Sequence, residues 1–199
     1  MWFEFASGTP GRDGASGSED DGETRDPSGA GLPVLLGVLS VLFGLALFGY
    51  VGVRSEADVW GSIWTPAGVA LVAGATLALI FAQRAFAYAA RYAAQGRDVR
   101  PWLVAGVVGA LLYGAAQTVH WRLLEPGLEQ GLRVEVVSFT LLTSLHAVFC
   151  VGGCIATALM GWRQAVVGPG ACARGLGKLR RYWTFLLWVW PLLVLVLVV

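Results

Sequence analysis

Residues 32 to 53 contain no charged side chain, and four further stretches are nearly as apolar over 18 residues or more. A helix crossing the hydrocarbon core of a bilayer, about 30 Å thick, needs roughly 20 such residues. Five of them in a chain of 199 residues leave little room for anything else. The expected fold is therefore all-α: an integral membrane five-helix bundle. Its spans fall at about 32–53, 65–90, 102–123, 136–160 and 182–199, within one transmembrane domain covering 31–199. Composition excludes an ordinary soluble domain, because charged residues make up 14% where about a quarter is usual.

Residues 1–30 read differently. They are rich in Gly, Ser, Asp and Glu, with an acidic cluster at Glu19, Asp20, Asp21, Glu23 and Asp26. Such a segment buries too little apolar surface to offset the entropy of ordering it, so a disordered polar tail is expected. It lacks the basic-then-apolar start of a signal peptide. The net charge of +1 balances this acidic tail against basic loops, so it is no argument for a nucleic-acid partner.

Lys and Arg placement gives a direction. The second-to-third connection and its flanks carry Arg84, Arg91, Arg97 and Arg100. The fourth-to-fifth connection carries Arg163, Arg174, Lys178, Arg180 and Arg181, whereas the other two loops carry only Arg54, Arg122 and Arg133. Basic loops stay cytoplasmic, and acidic residues contribute little to that rule. The N-terminus is thus expected inside and the C-terminus outside. Trp60 and Trp64 sit where an interfacial aromatic belt would be, and Thr65–Pro66 reads as a helix start. Arg84 and Arg91, near the far end of the second span, are placed to snorkel to lipid headgroups.

Polar groups inside spans are the places to look for chemistry. Tyr113, Gln117, His120 and Trp121 follow i, i+4, i+7, i+8 spacing and share one helix face. A proton or ligand pathway is one reading; interhelical hydrogen bonding, ordinary glue in membrane bundles, is the one preferred. His146, Cys150 and Cys154 also share a face, and imidazole with thiolates suits zinc or copper. Their span of about 12 Å along the helix is too long to converge on one ion, and cysteine often acts as a small hydrophobe. No metal or cofactor is expected. Cys150, Cys154 and Cys172 make no disulfide framework. Gly106, Gly109 and Gly114 in the third span, with Gly152 and Gly153 in the fourth, are expected to let helices approach closely. No Asp or Glu lies in any expected span, which argues against a stand-alone ion-coupled pump.

Three motifs, in order, resemble subunit III of the haem-copper (cytochrome c) oxidases. The first is Trp102–Leu103 opening a Gly-rich helix that ends Gln117–Thr118–Val119–His120–Trp121, where the family has Glu at the position of His120. The second is Leu142–Thr143–Ser144–Leu145–His146 followed by Gly152–Gly153; a second family His is replaced by Phe149. The third is Tyr182–Trp183–Thr184–Phe185 leading to Val189–Trp190. The first span lacks the carboxylate the family usually carries there. The resemblance covers about residues 60–199 and implies a divergent, five-helix member. It implies a non-catalytic subunit that binds no haem or copper, packs against the catalytic subunit, holds lipids, and supports stability and sustained proton uptake in aerobic electron transport. Its partners would be the catalytic and other oxidase subunits and membrane lipids, in a bacterial inner membrane. An accessory subunit of a nitric oxide reductase, a small transporter or channel lined by the third and fourth spans, and a membrane enzyme or metal-handling protein using His120, His146 and the cysteines are the alternatives.

Overall fold

The structure is a computed structural model; it describes residues 27–56, 63–129, 133–167 and 173–198. The tail expected at 1–30 lies almost wholly outside the described residues, as do Trp60 and Cys172. Among the described residues there are five helices: α1 (Pro27–Glu56), α2 (Pro66–Ala94), α3 (Arg100–Glu129), α4 (Arg133–Val167) and α5 (Ala173–Val198). Each is long and apolar enough to cross a membrane. Large apolar side chains cover their outward faces, Phe48 being 78% exposed and Trp188 70%. Water would not tolerate so much contiguous apolar surface, whereas lipid matches it. The chain is built as an integral membrane protein.

Helices α2 to α5 form a closed ring in which each packs on its sequence neighbour and α5 returns to α2. Short connections impose that up-and-down order. The link from α2 to α3 is the best defined. Gly96 adopts φ 66° at the end of α2, a left-handed position that glycine takes without steric cost. Asp98 then accepts the Arg100 N–H at 3.1 Å to start α3. At the other end of α2, Thr65 is the N-cap, its Oγ1 accepting Gly68 N–H at 3.0 Å with Pro66 in the first turn. Helix α1 stands outside the ring and touches only α5 and α4, burying Leu39, Phe43 and Tyr50.

The helices outrun the expected spans. Residues 124–129, read as loop, continue α3 through Pro126, and Leu124 is buried on the face that carries Tyr113, Gln117 and His120. Arg163 lies within α4, and Arg174, Lys178, Arg180 and Arg181 lie on α5, which starts nine residues before the apolar run. The reason is amphipathicity: Leu176 and Leu179 are buried in line with Trp183 and Leu186, so charged residues can occupy the outer side of the same turns. Glu135, also read as loop, is in the first turn of α4 and buried. A helix of 30 residues is about 45 Å long, enough to reach through both headgroup layers.

Candidate functional site

Hydroxyls on the ring helices share a pattern. Thr76 donates to the Val72 carbonyl (2.7 Å) and accepts the Trp190 indole N–H (2.8 Å). Thr143 donates to Phe139 O (2.8 Å) and accepts from Trp121 Nε1 (2.9 Å). Thr184 donates to Arg180 O (2.8 Å) and accepts from Gln83 Nε2 (3.1 Å). A hydroxyl has one donor and two acceptor positions, so bonding back to its own helix leaves a lone pair for a neighbour. The three links tie α2 to α5 twice and α3 to α4 once.

His146 is the centre of the polar core. It is fully buried and bridges three helices: Nδ1 lies 2.7 Å from Tyr113 Oη on α3, and Nε2 lies 3.0 Å from the Leu186 carbonyl on α5. A carbonyl can only accept, so Nε2 carries the proton; a neutral ring then accepts the Tyr113 hydroxyl proton at Nδ1. Pro191 lies inside α5 and supplies no N–H to the Leu187 carbonyl one turn back. The His146 bond falls on the adjacent carbonyl. Trp190 closes the cluster, its ring centroid 5.2 Å from Tyr113 and 5.4 Å from His146, while Phe43 of α1 reaches His146 at 6.1 Å.

Cys150 Sγ is 3.7 Å from the same Nδ1. A metal there would have to displace the Tyr113 hydroxyl. Cys154 is one turn further along and half-buried. Among the described residues no three His, Cys, Asp or Glu side chains cluster in a way that could hold an ion.

The third-span stripe divides in two. Tyr113 and Trp121 reach partners across the bundle, whereas Gln117 and His120 are buried with no partner among the described residues for either Gln117 amide atom or for His120 Nδ1. His120 packs edge-on against Phe139, centroids 4.7 Å apart, and faces Trp64 at 6.4 Å. Its ring lies so close to α2 that a Cβ on Gly68 would come within 2.9 Å of Nε2.

The motif residues of the resemblance occupy helix contacts to different degrees. Trp102 packs on Tyr88 and Tyr92 at 4.9 and 5.6 Å, closing the α2–α3 corner. Trp183 stacks on Phe86 at 4.7 Å. Tyr182 donates to Phe149 O at 2.8 Å, and Phe185 packs half-buried against the core. A Cβ on Gly153 would lie 2.8 Å from Trp183 and 2.9 Å from Tyr182. Gly109 is equally confined, and a Cβ on Gly106 would enter the Phe86 ring. The expectation fails for two glycines: Gly114 has nothing within 4 Å, and Gly152 meets only the Tyr182 hydroxyl, at 3.8 Å. Gly114 instead lines an open apolar groove of about 630 Å³ between α3 and α4. Arg84 and Arg91 are exposed, and the Arg91 guanidinium lies 5.8 Å from the Tyr88 ring centroid.

Several contributors were not singled out from sequence. Thr76 and Gln83 are ordinary polar residues in an apolar run, and only their cross-helix bonds distinguish them. Trp64, half-buried just before α2, donates to Leu197 O near the end of α5 at 3.2 Å. Compared with known proteins, the sequence matches no protein-family model and no curated protein.

Proposed function

We propose that this chain is a non-catalytic, subunit III-like component of a respiratory haem-copper oxidase. In this reading it packs beside the catalytic subunit, supports its assembly and stability, and contacts membrane lipids, with exposed Arg84 and Arg91 among the headgroup contacts. The observation that carries the proposal is the joint placement of the motif residues. Trp121 with Thr143, His146 with Trp190, and Gly153 with Tyr182 and Trp183 meet pairwise between helices. A scaffold subunit needs such positions to fix helix packing, and the polar groups so engaged are spent on holding helices together. The chain would sit in a bacterial inner membrane with its N-terminus inside. Arg91, Arg97, Arg100, Arg163, Arg174, Lys178, Arg180 and Arg181 crowd the end of the bundle that would then face the cytoplasm.

Native purification from its source membrane in mild detergent tests the proposal. The expected result is co-purification with a haem-copper subunit, visible as reduced-minus-oxidised haem absorption in the same fraction. A chain that runs as a stable monomer with no haem protein attached would refute it.

A further inference from the structure

One turn of α3 carries hydrogen-bonding capacity that no group among the described residues meets. Gln117 is 0% exposed with neither amide atom partnered, and His120 is 1% exposed with Nδ1 unpartnered. A buried polar group left unsatisfied costs about 1–3 kcal/mol, and surrounding lipid offers no relief. Along α3 the deficit is confined to this turn; elsewhere among the described residues only Gln164 Oε1 and Trp183 Nε1 are buried and unpartnered. On the turns to either side, Tyr113 and Trp121 are bonded to His146 and Thr143.

The unpartnered groups, three residues apart on one helix, suit a small ligand that both donates and accepts. Residues at i and i+3 are neighbours, with Cβ atoms roughly 5–6 Å apart, so one molecule can bond the Gln117 amide and His120 Nδ1 together. Tyr113 is one turn away from Gln117 on the same face. Its oxygen keeps a free lone pair after donating to His146. Buried water fills this role in proteins, making two to four bonds to groups otherwise unsatisfied. Gly68 is part of the arrangement, because the absence of its side chain is what admits the His120 ring to the bundle interior.

We propose that Gln117 and His120 form an internal water site that extends the Tyr113–His146 pair towards the Trp64 end of the bundle. The site does not depend on the oxidase reading; it requires only that the bundle sit in a bilayer. Its consequence is that the buried tyrosine–histidine pair is in contact with exchangeable water, although neither residue is itself exposed.

Radiolytic labelling with 18O-water, on the full chain in phospholipid nanodiscs, reads this directly. Tyr113 and His120 should take up 18O, while Trp190, equally buried but bonded to Thr76, should not. Gln117→Met, close in shape but without the amide, should lose the label at both positions and melt at a lower temperature. Three results would each overturn the site: wild-type Tyr113 and His120 no more labelled than Trp190, labelling unchanged in Gln117→Met, or a higher melting temperature in that variant. The last would mean that the amide is merely desolvated. Should the variant fail to assemble, the wild-type labelling decides alone.

Discussion

Helix α3 is held in two different ways on its two sides. Towards α2 the hold is steric: Gly106 and Gly109 let Phe86, Phe81 and the Ala78 backbone come into contact with the helix. Towards α4 it is polar. Tyr113 and Trp121 reach across to His146 and Thr143, and beside those bonds the helices stand apart around a groove. In a bilayer the hydrophobic effect gives helices little reason to associate, since lipid tails are as apolar as leucine. Close packing of small residues and buried hydrogen bonds are the two devices left. This protein uses one on each side of a single helix.

Substitutions separate the two holds. The largest effect is expected for Gly106→Leu, whose side chain would collide with a ring that is itself stacked on Trp183; overpacking typically costs about 1–3 kcal/mol, and a collision this direct belongs at the upper end. Unfolding free energy in bicelles would register it, and a near-neutral result would break the steric half of the comparison. His146→Leu should come next, at about 1–2 kcal/mol, because it leaves the Tyr113 hydroxyl and the Leu186 carbonyl without their partner. Thr143→Val removes the bond from Trp121 and should cost about 0.6 kcal/mol, the usual worth of such a contact in membranes. Gly114→Ala is expected to change stability by no more than about 0.5 kcal/mol, because open space surrounds that position. Ala at 114 as damaging as Leu at 106 would mean that the two faces of α3 are not distinct.

The three glycines also show what the sequence could and could not disclose. Gly106, Gly109 and Gly114 look alike in a string of small residues. Eight residues from the first to the last is about 80° more than two full turns, which moves Gly114 off the α2 contact and onto the groove. Which arc of α3 meets α2 depends on helix rotation, and rotation is set by all the neighbours together. The five helices themselves were legible because uninterrupted apolar length is a local property. Their ends were not. Leu176 and Leu179 continue the core face of α5 among four basic residues, so a reading keyed to charge started the span too late in the chain. Glu135 was lost to the loop for the same reason.

The polar site was legible in its members and not in its pairings. Tyr113, Gln117, His120 and His146 stood out as polar residues within apolar runs. That Tyr113 pairs with His146 while Gln117 stays unpaired follows from the relative depth of α3 and α4, which no local pattern encodes. The acceptor for His146 Nε2 is a backbone carbonyl in the turn of α5 that Pro191 deprives of an N–H donor. Only Pro191 marks that turn in the sequence, and it does so without naming a partner.

The central claim is that His146 ties helices together, its capacity spent on Tyr113 and Leu186 and not on a ligand or a reaction. A double-mutant cycle of Tyr113→Phe and His146→Leu in bicelles measures that tie directly. The account predicts a coupling of about 1 kcal/mol, with the double variant losing little more than His146→Leu alone. Additive losses with no coupling would show that the bond does not hold α3 to α4, and would contradict the claim.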